Sequence, residues 1–162
     1  VVIPGCFGSA GKGPGGGQAG SRKWIPALTI GPGCSILFQG GRLPIGFYGY
    51  HALVADGTDG EITFAGTDPE GGPGGWSGIL FDSSTIDSLT RVVRCRIAHA
   101  GRESHGAVII ENAQPRIRDC LIEESASWGI YLEGNEHPDP DSLVYWNRFA
   151  GNDSGDVRRP PL

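Results

Sequence analysis

Short apolar runs recur along the chain, each entered through a glycine and left through polar residues. Three of them lie at residues 79–81, 108–110 and 130–132. The segments that follow the first two, at 91–100 and 115–125, alternate between apolar and polar positions instead. Runs of this length, rich in β-branched and aromatic residues and bounded by turn formers, indicate strands rather than helices. No repeated segment carries a helical apolar stripe, so the pattern predicts an all-β chain.

The runs belong to an internal repeat. Superposing three copies, the last of which ends with a strand segment at 143–152, aligns three columns of residues: Gly78, Gly106 and Gly129; Cys95, Cys120 and Asn147; and Ile97, Ile122 and Phe149. The cysteine column is spaced by 25 and 27 residues, and the glycine column by 28 and 23. Two or three short strands per repeat of about 25 residues, with no helix, predict a parallel β-helix, a solenoid in which equivalent residues stack.

The repeat extends upstream of these copies. Leu28 aligns with Leu53 at a spacing of 25, and residues 36–38 then fall close to residues 62–64. We therefore predict roughly five coils over residues 26–155, preceded by a glycine-rich N-terminal arm or cap at 1–25 and followed by a tail at 156–162. Because a solenoid end exposes strand edges that must be capped or paired, the apolar start of the arm is expected either to cap this chain or to join a neighbouring subunit.

The four cysteines leave several pairings open. Stacking brings Cys95 and Cys120 close enough either to form a disulfide or to pack as a ladder of buried, unbonded thiols. A disulfide between Cys6 and Cys34 is one way to hold the arm in place. Two disulfides are therefore permitted but not required.

The coil sequences resemble a known family. L-T-I-G-P-G-C-S-I-L-F, A-L-V-A-D-G-T-D-G-E-I-T-F, W-S-G-I-L-F and R-I-A-H-A-G are similar to segments of secreted bacterial right-handed parallel β-helix repeat proteins of the pectin-lyase-like fold. The resemblance covers about residues 28–152. It implies a right-handed solenoid at the cell surface or outside the cell, and kinship with enzymes that act on polysaccharides, but it assigns no activity.

Composition narrows the classes of partner. The net charge is −5, and basic residues form no stripe with interleaved aromatics, so no nucleic-acid partner is expected. No apolar run reaches the length of a membrane span. The chain contains no methionine, even at position 1, so we expect a processed or excised piece of a longer product.

Arginines supply the candidate ligand-binding surface. Their outward positions on successive coils form a predicted stripe for anions: Arg91, Arg94, Arg96, Arg116 and Arg118. Arg148 follows on the next coil. The alternative is a solvated face in which charges pair, because Arg94 stacks on Asp119. Exposed aromatics are the second candidate, with Tyr48 and Tyr50 at a loop tip expected to contact a partner.

No residues converge into a catalytic set. His99 aligns with Glu124, an arrangement more typical of a surface pair than of acid–base chemistry. Two acidic clusters, Asp56 with Asp59 and Glu136 with Asp139 and Asp141, offer oxygen ligands for calcium, but roles in turns explain them better. No cofactor is predicted, with calcium left open as a possible ligand of these clusters.

Two functions remain open from the sequence. The first is a non-catalytic extracellular structural or adhesive module that self-associates, or joins a larger surface assembly, through its arm and coil ends. The second is a polysaccharide-binding or polysaccharide-degrading β-helix protein or a fragment of one.

Overall fold

The computed structural model describes residues 7–9, 27–46, 50–67, 72–102 and 105–160. Strands dominate these ranges, and one short helix joins them. In chain order the strands are β1 (Phe7–Ser9), β2 (Ala27–Ile30), β3 (Ser35–Phe38), β4 (Arg42–Ile45), β5 (Ala52–Asp56), β6 (Ile62–Gly66), β7 (Gly78–Phe81), β8 (Arg91–Val93), β9 (Cys95–Ala98), β10 (Gly106–Glu111), β11 (Arg116–Arg118), β12 (Leu121–Glu123), β13 (Trp128–Glu133), β14 (Arg148–Ala150) and β15 (Gly155–Arg158). The helix is α1 (Pro140–Trp146). The prediction of an all-β chain is confirmed.

The strands form three five-stranded sheets. Sheet 1 has the order β1-β2-β5-β8-β11, sheet 2 the order β3-β6-β9-β12-β14, and sheet 3 the order β4-β7-β10-β13-β15. From β2 to β13, three successive strands enter sheets 1, 2 and 3 in turn, and we call each such set a rung. Neighbouring strands are parallel except for β1, which pairs antiparallel with β2.

Apolar side chains stack in register between the sheets. In sheet 2 the ladder is Ile36, Phe64, Ile97, Ile122 and Phe149, one residue from each strand. The three middle members are fully buried, whereas Ile36 and Phe149 at the two ends are only partly buried. Burying each such side chain stabilises the fold by about 1.5–3 kcal/mol. The predicted column of Ile97, Ile122 and Phe149 is confirmed, and with it the stacking of Cys95 on Cys120.

Two predicted registers are wrong. Gly106 pairs with Trp128, so Gly78 and Gly129 both lie opposite Ala107 instead of opposite Gly106. The buried ladder of Ile79, Val108 and Ile130 sets this register, and Gly106 lies one residue further from it than the other two glycines do. In sheet 2, Ile36 pairs with Phe64 and not with Ile62. The pairing of Leu28 with Leu53 agrees with the prediction.

Helix α1 replaces the first strand of the last rung, where the sequence pattern predicted a strand at 143–152. Asp139 caps the helix, accepting a hydrogen bond from the Ser142 backbone N–H at 2.9 Å, and Pro140 occupies the first turn. Both residues favour a helix start. Seven residues are too few for an apolar period to appear in the sequence, and only Leu143 of the helix is buried.

The two ends of the structure differ from the predicted boundaries. Strand β1 lies within the predicted arm, where its apolar start ends, and it pairs with the edge of β2, as the capping alternative expects. The remainder of the arm lies outside the described residues. At the other end, β15 pairs with β13 and carries sheet 3 as far as Arg158, into the segment predicted as a tail.

Candidate binding groove beside helix α1

The corner between sheets 1 and 2 turns through residues with left-handed backbone. Arg94 has a φ of 50° and Asp119 a φ of 56°, and they occupy equivalent positions in successive rungs. The Arg94 N–H donates to the Arg118 carbonyl at 3.1 Å, and the Asp119 N–H donates to the Trp146 carbonyl at 2.8 Å. The end of α1 therefore takes the place of the next strand at this corner. Both side chains are exposed there.

Helix α1 carries exposed aromatic side chains to the same corner. Leu143 packs into the core, whereas the three residues that follow it, Val144, Tyr145 and Trp146, are exposed to solvent. Tyr145 is 85% exposed, the most of the large apolar side chains exposed in the described ranges. Large exposed apolar groups on a folded protein mark interaction surfaces when they cluster.

Residues of this corner and of α1 line an open groove of about 410 Å³. We call it the α1 groove, and its lining residues are Arg94, Asp119, Tyr145, Trp146, Asn147 and Arg148. Its volume lies within the range of roughly 300–1,000 Å³ that is typical of small-molecule sites. Aromatic rings and charged groups line the same cavity, a combination that suits a ligand with both an apolar face and polar substituents.

Arg118 borders the groove and orders one of its rings. Its guanidinium carbon lies 4.9 Å from the centroid of the Trp146 ring. A cation over an indole face is attracted by the ring quadrupole. Arg118 therefore holds one face of Trp146 and adds positive charge beside the groove.

Asn147 fixes α1 to the rung below. Its side-chain oxygen accepts a hydrogen bond from the Cys120 N–H at 3.1 Å, and its side-chain nitrogen donates to the carbonyls of Ile117 at 3.2 Å and Leu143 at 2.9 Å. The residue is buried. The Asn147 side chain thus satisfies the Cys120 N–H and the Ile117 carbonyl, backbone groups that a strand in the position of α1 would otherwise bond.

The predicted arginine stripe is divided among several environments. Arg91 pairs with Asp56 at 3.5 Å, and Arg96 pairs with Glu123 at 2.6 Å. Arg116 is exposed and lies opposite Arg91 in register. Of the five predicted arginines, Arg94 lines the groove and Arg118 borders it. Arg148 joins them from the strand that follows the helix.

The loop tyrosines lie elsewhere. Tyr50 is 42% exposed and forms an isolated bridge with Ile45, and it does not line the groove. Tyr48 lies outside the described residues. The exposure of Tyr145 and Trp146 was the signal that sequence reasoning missed, because that exposure follows from their place on a helix.

The three cysteines in the described ranges divide into one bonded residue and one free pair. Cys34 is disulfide-bonded, and Cys6, its predicted partner, lies outside the described residues. Cys95 and Cys120 are free and buried, which is the second of the two predicted alternatives, a ladder of unbonded thiols. The hydrogen bond with the Cys120 thiol, together with burial, raises the pKa of the Cys95 thiol. A protonated, buried thiol is a poor nucleophile.

The acidic residues considered as calcium ligands have local structural roles. The Thr58 side chain and backbone donate to Asp56, and the Ser142 side chain and backbone donate to Asp139; these bonds lower the pKa of both carboxyls. Within the described ranges, no three His, Cys, Asp or Glu side chains are placed to hold one metal ion. His99 and Glu124 form the predicted pair at 3.1 Å.

Helix α1 is too short and too polar to cross a membrane, and the described residues contain no other candidate. No protein-family model matches the chain, and neither does any curated protein or solved structure compared with it.

Proposed function

We propose that this chain is a non-catalytic adhesive module, exported to the cell surface or beyond, that binds a polysaccharide through the α1 groove. The observation that carries the proposal is Tyr145, 85% exposed on a groove that also contains Trp146 and two arginines. A sugar ring has an apolar face that stacks on an aromatic ring and hydroxyls that bond to charged groups.

The proposed scaffold is a right-handed parallel β-helix of the pectin-lyase-like kind. Its support is the return of every third strand to the same sheet, with apolar ladders running through successive rungs. Crossover connections between parallel strands are almost always right-handed. Export is supported by the disulfide at Cys34, because disulfides persist chiefly in oxidising compartments.

Binding without catalysis is favoured by the charges in the groove. Hydrolysis of a glycosidic bond by the usual mechanism needs two carboxyl groups roughly 5–9.5 Å apart. Among the residues that line the groove, Asp119 is the single carboxylate. Of the two functions left open by the sequence, adhesion and polysaccharide binding therefore combine at this site, and degradation has less support.

Replacing Tyr145 with alanine is expected to weaken binding to a polysaccharide about 30-fold or more, since truncating a central aromatic contact costs about 2 kcal/mol or more. Binding is measured by retardation in native gels that contain each of a panel of neutral and acidic polysaccharides. The melting temperature should not change, because the side chain is exposed.

Tyr50→Ala is the matched control, because it removes another exposed tyrosine that does not line the groove. It should leave binding unchanged. Loss of binding in Tyr50→Ala with full retention in Tyr145→Ala would move the site to the loop tip and contradict the proposal. If the wild-type protein bound no member of the panel, the proposed function would be wrong.

Self-association is a second candidate, favoured by the two ends of the stack. The partly buried members of the core lie in the first and last rungs, among them Ile36 and Leu43 at one end and Phe149 and Val157 at the other. In the part of the chain described, β14 and β15 have no further strand beside them. In sheet 1, β1 and α1 cover the edges, which confines such contact to sheets 2 and 3.

Light scattering over a range of protein concentrations tests this second candidate. If copies associate through β14 and β15, the mass of the wild-type particle rises with concentration. The double variant Ala150→Lys/Asp156→Lys, with both changes at exposed positions of these strands, should remain monomeric because lysines on edge strands block pairing. A constant monomer mass for the wild type would show that the ends are closed.

A further inference from the structure

The α1 groove is a locally basic site on an acidic chain. The whole chain carries a net charge of −5. Arg94 and Arg148 line the groove against the single carboxylate of Asp119, and Arg118 borders it. Low-dielectric walls around charges of one sign concentrate the field within a cleft. The groove therefore attracts anions although the protein as a whole repels them.

Among the described residues, neither of the two lining arginines has a partner of opposite charge. Within the described ranges, the ion pairs engage Arg91, Arg96, His99 and Arg159 with carboxylates, and neither Arg94 nor Arg148 takes part in one. Neither donates a side-chain hydrogen bond to any described residue. Guanidinium groups present a planar fork of N–H donors that matches an oxyanion. These donors remain available for a ligand.

The aromatic residues and Asp119 specify the rest of the ligand. A small inorganic anion would leave Tyr145 and Trp146 uncovered, whereas a ring with an apolar face covers them. Asp119 accepts hydrogen bonds from hydroxyl groups, which a sugar ring carries in number. A nucleic acid also has rings and negative charge, but it lacks the density of hydroxyl donors that a saccharide offers to Asp119.

We infer that the α1 groove selects an acidic saccharide, one whose sugar units bear a carboxylate or a sulfate. The oxyanion lies between Arg94 and Arg148, a sugar ring lies on the exposed aromatic face, and ring hydroxyls donate to Asp119. Arg118 is a positioning residue that holds Trp146 from its other face. The inference rests on the proposed function, and it names the class of polysaccharide that the groove prefers.

The test compares four probes by isothermal titration calorimetry at low salt. They are a carboxylated polysaccharide, the same polymer with its carboxyl groups reduced to alcohols, a sulfated polymer with a neutral backbone, and a single-stranded oligonucleotide. The wild type is expected to bind one of the acidic polysaccharides about tenfold or more tightly than the reduced polymer, and sodium chloride should weaken that binding because salt screens exposed charges.

Arg94→Gln/Arg148→Gln is the diagnostic variant, and Arg91→Gln/Arg116→Gln is its matched control. Both remove two positive charges from exposed positions, but only the first pair lines the groove. Binding to the acidic probe should fall about tenfold or more in the first variant and at most about twofold in the second. Equal losses in the two variants would assign the effect to overall charge and overturn the inference.

The outcomes separate the inference from the proposed function. Equal wild-type affinity for the acidic and reduced polymers would leave an adhesive module that binds neutral saccharides, and the inference would fall alone. Tighter binding to the oligonucleotide would overturn both. Binding to the carboxylated but not the sulfated probe, or the reverse, identifies which oxyanion the arginines hold.

Discussion

Replacing Gly78 with alanine is expected to lower the free energy of unfolding by roughly 3 kcal/mol, for two separable reasons. Gly78 has a φ of 95°, a region that costs an L-residue about 1–2 kcal/mol. An added Cβ would also lie 2.5 Å from the Ala107 carbonyl oxygen and 2.6 Å from that of Gly106, in the neighbouring strand. Overpacking against such a rigid neighbour costs a further 1–3 kcal/mol, approximately.

Gly33→Ala isolates the first of these costs. Gly33 also has a positive φ, of 73°, but nothing lies within 4 Å of the Cβ that alanine would add. In Gly33→Ala the free energy of unfolding should therefore fall only by the backbone cost of about 1–2 kcal/mol. Urea unfolding followed by tryptophan fluorescence measures both. Equal destabilisation of the two variants would mean that β10 can move away from β7, contrary to the register described for sheet 3.

The sequence predicted the ladder at Ile97, Ile122 and Phe149 because burial selects large apolar residues at each stacked position. It did not predict the glycine register, since glycine is required for different reasons at different positions. Gly78 needs space opposite Ala107, whereas a Cβ at Gly106 would approach the Trp128 carbonyl oxygen and the Tyr131 Cβ, both at 3.1 Å. Identical residues in a sequence column therefore did not mark equivalent positions.

The candidate site was predictable only in part. Arg94 was found because the alternating pattern of residues 91–100 places it at an outward position. Tyr145 and Trp146 were assigned to a strand, and on a strand the two would have pointed to opposite faces. The local signals for a helix were the capping residues Asp139, Pro140 and Ser142. A helix of seven residues is too short to show an apolar period as well, so the capping residues were the sole signal.

Asn147→Ala is expected to have a large effect on both stability and binding. The change leaves the Cys120 N–H and the carbonyls of Ile117 and Leu143 without their partner. Each unsatisfied buried group costs about 1–3 kcal/mol, so a loss of about 3 kcal/mol or more is expected. Since these bonds tie α1 to the rung below, Tyr145 and Trp146 should lose their fixed position, and polysaccharide binding should fall.

Asn152→Ala is the control, because Asn152 makes an equivalent pair of bonds five residues further on. It accepts from the Ser125 N–H and donates to the Ile122 carbonyl, both at 3.1 Å, but it is only partly buried. Water can replace part of the hydrogen bonding that alanine removes, so the free energy of unfolding is expected to fall by only about 1 kcal/mol. This bond pair lies beyond β14 and does not hold α1, so binding should persist.

Both variants are compared by urea unfolding and, well below the melting temperature of each, by binding to the polysaccharide that the wild type prefers. Working with folded protein separates displacement of α1 from global unfolding. If Asn147→Ala lost stability but bound like the wild type, the binding surface would not depend on the anchoring of α1, contrary to this prediction. If Asn147→Ala lost binding while Asn152→Ala retained it, the Asn147 side chain would have two roles. It would satisfy the backbone groups that a neighbouring strand would otherwise bond, and it would position the ligand-binding surface.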